Sequence, residues 1–312
     1  MSKPDEDDDC YTSIEDVDFF SEIHGRTFNI QNPTYLLPSD NDEIKRYTLF
    51  HRLIKFVLNG RIYTGPFKET LQFGMYRKVL DIGTGNGEWA IELADELLYV
   101  YVTGVDTAPI QYRFEIWDAN VANMPYKDAY FDVIHARAIH TGIHNYPAFL
   151  SEIARMIRPG GLVLLIEPGM TQYAQDKPES EFTSATGPVG WFKLWETYRY
   201  CLSSAGIDPS IPEHLHCLLE ATNQFEDIEY SEITIPIGFY PQNRRSLTIG
   251  ELQWMAYDLL LPALRPMFLN CGLNKSRTDE LIKNATVDLY HGNTIFELSS
   301  RLYIVNAKRK NI

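Results

Sequence analysis

What this chain lacks narrows its reading before any motif is considered. It has no run of roughly 18 consecutive apolar residues, the length a membrane-crossing helix needs. Its start, Met1-Ser2-Lys3-Pro4-Asp5-Glu6, has neither a basic opening nor an apolar stretch, so a soluble, cytoplasmic protein outside the ordinary secretory route is expected. Positive charge is scarce: 28 Lys and Arg stand against 42 Asp and Glu, a formal net charge of −14. Such a surface repels nucleic acid and anionic membrane and favours a small molecule or a protein as partner. Cysteine is sparse as well, with Cys10, Cys201, Cys217 and Cys271 scattered and no C-x-x-C pair. The cluster His214-Leu215-His216-Cys217 matches no usual zinc spacing, so no metal is expected and the thiols read as free in a reducing compartment. There is no internal repeat.

What the chain does have is an apolar run ending in an acid and breaking into glycines: Lys78-Val79-Leu80-Asp81-Ile82-Gly83-Thr84-Gly85-Asn86-Gly87-Glu88-Trp89-Ala90. The run reads as a buried parallel strand, and Glu88 to Leu98 carries apolar positions at helical spacing. The glycines therefore occupy a strand-to-helix turn, where a ligand can approach backbone N–H groups closely. A dinucleotide fingerprint wants a small residue at position 88, near a pyrophosphate, and Glu88 disfavours an NAD-dependent oxidoreductase. The motif instead resembles the first motif of class I S-adenosylmethionine (SAM) methyltransferases, whose cofactor is cationic.

The rest of the chain orders itself around that turn. Residues 1–20 are acidic and expected to be disordered. Residues 21–70 read as a helical cap in which Ser39 or Asp40 starts a helix through Ile44, Tyr47, Phe50 and Ile54, ending near Asn59-Gly60. Residues 71–312 read as the main domain: α/β, a doubly wound Rossmann-like sheet with helical additions at about 171–223 and 246–291. A second strand, Val100 to Asp106, ends in an acid about 20 residues past the last glycine, where this geometry receives two ribose hydroxyls. A third strand, Arg113 to Asp118, puts Asp118 in place for an adenine amino group, with Trp117 either lining the ring or packing in the core. Only seven residues, Thr107 to Arg113, stand between Asp106 and Phe114, so either a tight loop replaces the usual crossover helix or the strand limits shift. Further strands are expected at Phe131 to Arg137, Leu162 to Gly169, Phe225 to Gly238 and Arg301 to Lys308. Helices are expected at 146–157, stopped by Arg158-Pro159-Gly160-Gly161, at 248–269 and at 277–290. The carboxyl ends of the strands bring Arg137 to His144 and Glu167 to Met170 beside the ligand.

Taken together, Tyr35-Leu36-Leu37-Pro38-x-Asp40 with Glu43, Arg46 and His51, the Gly60-Arg61-Ile62-Tyr63 step, the glycine turn, Gly104-Val105-Asp106-x-x-Pro109-Ile110-Gln111, Phe131-Asp132-x-Ile134-His135-x-Arg137 and Arg158-Pro159-Gly160-Gly161 resemble the LaeA-like fungal methyltransferases. The resemblance runs from about Arg26 to Glu167 and continues weakly beyond. It implies SAM held by Asp81, Gly83, Thr84, Gly85, Gly87, Asp106, Thr107, Trp117, Asp118, Ala119, Ala136 and Arg137, with the Tyr35 and His51 segments closing over it. This chain departs at the short Thr107 to Arg113 connection, where the family has a longer, proline-containing loop. Members include small-molecule methyltransferases of secondary metabolism and a regulator, nuclear in that case, that works inside a protein complex. The acceptor reading needs a base if the acceptor is a hydroxyl or acidic carbon, and His140, His144 and Glu167 are the candidates, each also readable as an ordinary polar residue. Trp191, Trp195 and Tyr198 of the first addition and Trp254 of the second are the expected acceptor pocket, with core packing as the competing use of that aromatic stripe.

Overall fold

The computed structural model describes residues 19–30, 32, 35–72, 76–108, 115–183 and 186–311. The acidic start up to residue 18 and Cys10 lie outside them, as do residues 109–114 of the short connection. In chain order the elements are β1 (Phe20–Ile23), β2 (Arg26–Asn29), α1 (Asn41–Val57), α2 (Phe67–Leu71), β3 (Arg77–Ile82), α3 (Glu88–Glu96), β4 (Val100–Asp106), β5 (Glu115–Ile116) and β6 (Phe131–Arg137). Then come α4 (Tyr146–Met156), β7 (Ile157–Pro168), β8 (Tyr173–Ala174), β9 (Lys177–Pro178), α5 (Val189–Ser204), α6 (Ile211–Ala221) and β10 (Phe225–Pro236). The chain closes with α7 (Arg244–Ala263), α8 (Arg265–Asn270), α9 (Lys275–Val287), α10 (Asn293–Phe296) and β11 (Leu298–Arg309).

The main sheet has the order β5-β4-β3-β6-β7-β11, with β10 antiparallel on β11 and the small β8-β9 hairpin at the end of β11. Strands β3 to β7 are parallel, and β11 runs against them. Chain order reverses between β3 and β6, which opens a crevice at their carboxyl ends. One face of the sheet is covered by α4 and α6 through Tyr146, Phe149, Leu150, Leu215 and Leu219. The other is covered by α1 and α3 through Phe50, Leu53, Ile54, Trp89 and Leu93. With both faces covered, β3 and β6 show continuous burial rather than alternation, which is why they read as apolar runs.

Several expected limits shift. The cap opens with the β1-β2 hairpin, so Phe20 is in a strand and the segment is not wholly helical. Of the expected third strand, Glu115–Ile116 is strand and Trp117 and Asp118 follow it outside the strand, while Arg113 and Phe114 lie outside the described residues. Arg158-Pro159-Gly160-Gly161 does not merely stop α4: it lies inside β7 as a bulge, since Phe131 pairs with Ile157 but Val133 with Leu162. There Gly160 takes φ +71°, and a Cβ on Gly161 would stand 2.7 Å from the Asp132 carbonyl oxygen. Arg158 and Arg77 both pair with the buried Asp132, which ties the bulge to β6. β10 ends at Pro236, two residues early, and the helix expected at 248–269 is two helices that meet at Leu264. The first addition carries the β8-β9 hairpin besides its helices. Its helix α5 packs with α7, α8 and α9 into a third apolar cluster around Trp191, Leu194, Leu261 and Phe268.

Candidate functional site

The glycine turn after β3 is built from three glycines in the left-handed region, Gly83 (φ +71°), Gly85 (φ +57°) and Gly87 (φ +79°). The N–H groups of Gly83 and Thr84 donate to the Val105 carbonyl at 2.9 and 3.1 Å, and Thr84 Oγ1 donates to Asp81 Oδ2 at 2.7 Å. Gly87 is the N-cap of α3. These bonds fold the turn over the ends of β3 and β4 and leave its outer side facing a cavity of about 530 Å³. That volume lies in the range of a small-molecule or cofactor site.

Asp106 stands on the cavity wall at the end of β4. Its Oδ2 accepts from Gly85 N at 2.9 Å and its Oδ1 from Ala108 N at 3.0 Å. Burial raises its pKa, opposed by these backbone donors. Oδ1 also accepts from Thr107 Oγ1, at 3.5 Å, a contact long enough to yield to a ligand, so the carboxylate can serve two vicinal hydroxyls. Thr107, Trp117, Asp118 and Ala119 also line the cavity. Asp118 Oδ1 accepts from Asn120 N and Nδ2, both at 2.9 Å, while Asn120 Nδ2 also donates to the Gly142 carbonyl, which pins this corner to the loop after β6. The indole Nε1 of Trp117 is buried with no hydrogen-bond partner among the described residues.

Arg137 ends β6 on the same wall. Its two terminal nitrogens lie 3.3 Å from His51 Nδ1, and no carboxylate comes within salt-bridge reach of it among the described residues. Burial lowers its pKa, as expected for a cation short of an anion. His51 Nε2 in turn meets Glu92 Oε2 at 2.8 Å. Tyr35 and Tyr47 line the cavity with their hydroxyls hydrogen-bonded to each other, and burial raises both phenol pKa values.

A second chamber of about 70 Å³ adjoins the first, and Tyr35, Tyr47, Phe50 and Ala138 line both. Its other walls include Met170, Trp195, Tyr198, Tyr257 and Leu260, with the polar groups of Arg46, His140, Thr141 and Gln253. His140 is buried, and its Nδ1 lies 2.8 Å from Glu167 Oε2. Glu167 is completely enclosed and also accepts from the N–H groups of Ile139 and His140 and from the Tyr146 hydroxyl. Two buried nitrogens of the chamber's residues, His140 Nε2 and Trp195 Nε1, have no partner among the described residues.

Most of the expected residues therefore converge, and some do not. Asp81 does not line the cavity: its oxygens are occupied by Thr84 and, at 2.7 Å, by His135 Nδ1, so it braces the turn from behind. Ala136 faces the core, Gly87 caps α3, and His51 acts one shell back by holding Arg137. His144 is exposed beside Gly206, outside both cavities. Glu167 does not line the chamber; its carboxylate meets His140, which does. Trp191 is fully buried with its indole donating to Gln172, and Trp254 donates to the Leu289 carbonyl, so neither lines the chamber. Sequence reasoning missed Glu43 and Asn86 as cavity residues, whereas Ile139 falls in the stretch Arg137 to His144 that it had placed beside the ligand. For Glu43 there was a signal: it sits one turn before Tyr47 on the helix face already assigned to Ile44, Tyr47 and Phe50.

A family profile described as a methyltransferase domain matches residues 24–229. The chain is 31% identical to the secondary metabolism regulator laeA of Coprinopsis cinerea, over 97% of this chain and 80% of that one. The chain belongs to the LaeA-like, SAM-dependent methyltransferases. It is also 27% identical to the methyltransferase pytC of Aspergillus terreus, covering 80% of this chain and 75% of that one. Against the methyltransferase str2 of Strobilurus tenacellus the identity is 24%, over 77% and 85%. Among solved structures it is similar to a Haemonchus contortus phosphoethanolamine N-methyltransferase 2 in complex with SAM, at 17% identity and a TM-score of 0.44 over 85% of this chain and 57% of that one, too distant to bear on substrate.

The cofactor of the LaeA-like methyltransferases fits the larger cavity. Asp106 suits the ribose diol, Trp117 and Asp118 the adenine, and the guanidinium of Arg137, lacking a carboxylate, suits the carboxylate of the methionine moiety.

Proposed function

We propose that this chain transfers the methyl group of SAM to a small, largely apolar metabolite of secondary metabolism whose reacting end enters the second chamber. The observation that carries the reading is the shared wall: Tyr35, Tyr47, Phe50 and Ala138 border both the cofactor cavity and an aromatic chamber with one histidine in it. When bound, SAM supplies a methyl group on a cationic sulfur, open to in-line displacement. The chain's own residues provide placement and exclude water, which supplies much of the acceleration in such a reaction. Asp106 and Arg137 fix the two ends of the cofactor. The two helical additions serve as the lid, since Trp195 and Tyr198 come from α5 and Gln253, Ala256, Tyr257 and Leu260 from α7.

The test is methyl transfer from labelled SAM into an apolar metabolite extract. Label is expected in the organic phase with the native chain and not with Trp195→Ala, while both bind S-adenosylhomocysteine equally. Binding without any transfer to small molecules contradicts the reading. A second reading, a SAM-binding regulatory subunit acting through a protein complex, is favoured by the name of the Coprinopsis relative. The enzyme reading goes with a cytoplasmic location and the regulatory one with a nuclear location; the free thiols of Cys201, Cys217 and Cys271 suit either, since both are reducing. Among the described residues no helix is long and apolar enough to cross a membrane.

A further inference from the structure

A buried imidazole nitrogen with nothing to bond is costly unless a ligand completes it. His140 Nε2 is such an atom, on the wall of the second chamber. Its state follows from its neighbour. Glu167 Oε2 lies 2.8 Å from Nδ1, and the same carboxylate receives the N–H groups of Ile139 (3.2 Å) and His140 (3.4 Å) and the Tyr146 hydroxyl (3.3 Å). A carboxylate ringed by donors accepts, so the imidazole proton sits on Nδ1 and Nε2 presents a lone pair. The arrangement therefore asks for a donor X–H from whatever fills the chamber.

We propose that the acceptor is an acidic hydroxyl, a phenol or an enol, and that His140, oriented by Glu167, takes its proton. This rests on the methyltransferase reading above and adds the acceptor's chemical class. As the oxygen–methyl bond forms, the sulfur–methyl bond breaks and its electron pair returns to sulfur, leaving a neutral thioether. The hydroxyl proton passes to Nε2, and the imidazolium so formed stands against the Glu167 carboxylate. A phenol ionises near pH 10, within reach of an imidazole base in a paired site, whereas an aliphatic alcohol is far too weak an acid. A carboxylate acceptor has no proton to give and leaves Nε2 unsatisfied. An ammonium acceptor is disfavoured beside the cationic sulfur and the Arg46 guanidinium on the same wall, although Glu43 offsets the latter. His140 is the catalytic residue of this proposal and Glu167 a positioning residue.

The test uses 4-nitrophenol, whose phenolate absorbs in the visible, added at pH 6 to the protein saturated with S-adenosylhomocysteine. The native complex is expected to bind it as the phenolate, its ionisation midpoint lowered by about one unit or more. His140→Gln is expected to bind it only as the neutral phenol. Glu167→Gln is expected to do the same, because an amide at 167 donates to Nδ1 and forces the proton onto Nε2, an outcome that a merely structural role for Glu167 does not produce. A phenolate signal that persists in His140→Gln, a neutral phenol in the native complex, or no binding of the probe at millimolar concentration each overturns the proposal. If S-adenosylhomocysteine itself fails to bind the native chain, it is the methyltransferase reading that falls.

Discussion

Asp106 and Arg137, an acid and a base, stand on one cavity wall, and each suits a different part of SAM. Arg137→Ala is expected to weaken S-adenosylhomocysteine by roughly tenfold or more, the scale of a charge-assisted pair, yet leave 5′-methylthioadenosine unchanged because that ligand has no carboxylate. Asp106→Ala is expected to weaken both ligands by a similar factor, since both keep the ribose diol. Calorimetric titration of the two variants with the two ligands checks this, and equal losses for both ligands in Arg137→Ala would contradict the assignment. Sequence spacing pointed to both residues, because each ends an apolar strand and such ends face the crevice. Asp81, which the resemblance adds to the cofactor set, turns its oxygens instead to Thr84 and His135. A residue type cannot show which side of a turn its oxygens face. The aromatic stripe, open in sequence between core and pocket, divides between them: Trp191, Trp195 and Tyr198 share one helix face, and only the packing of α7 and α9 decides that the first is core and the other two are chamber wall.

The glycine turn and α1 are the elements on which the site depends. A Cβ on Gly83 would stand 2.3 Å from Ile139 Cγ2 and sit on a residue at φ +71°, so Gly83→Ala is strained twice over. The expected outcome is a Tm lowered by several degrees together with cofactor binding reduced at least tenfold; a variant that keeps native Tm and affinity sinks this reading of the turn. At the start of α1, Asp40 accepts from the N–H groups of Asp42 and Glu43, both at 3.2 Å, and pairs with Arg26 of β2. Asp40→Ala is expected to cost about 1–2 kcal/mol, read by urea unfolding, because cap and ion pair go together. The cap was visible in sequence as an acid before an amphipathic run. The bulge in β7 was not: Arg158-Pro159-Gly160-Gly161 has the chemistry of a helix stop even where a sheet absorbs it.

At the scale of the whole molecule, the parallel centre of the sheet was readable because burial on both faces writes itself as uninterrupted apolar runs, whereas the long antiparallel pair β10-β11 extends past its apolar centre and blurred at the ends. Stability should carry the mark of two buried histidines. Burial lowers the pKa of His51 and of His135 below the unfolded value near 6.5. A histidine depressed in the folded state binds protons more readily when unfolded, so its contribution is whole above pH 6.5 and is lost as pH falls through 6.5 toward the folded value. Urea midpoints are expected to fall between pH 7.5 and pH 5.5, and His135→Gln to flatten that slope; a midpoint that rises on acidification would be the opposite sign. The most direct measurement is calorimetric titration of the purified chain with SAM, S-adenosylhomocysteine and NAD. Binding of the first two at micromolar strength, lost in Asp106→Ala, with none for NAD is the expected result. Binding of NAD alone, or of none of the three, would contradict the cofactor site at its root.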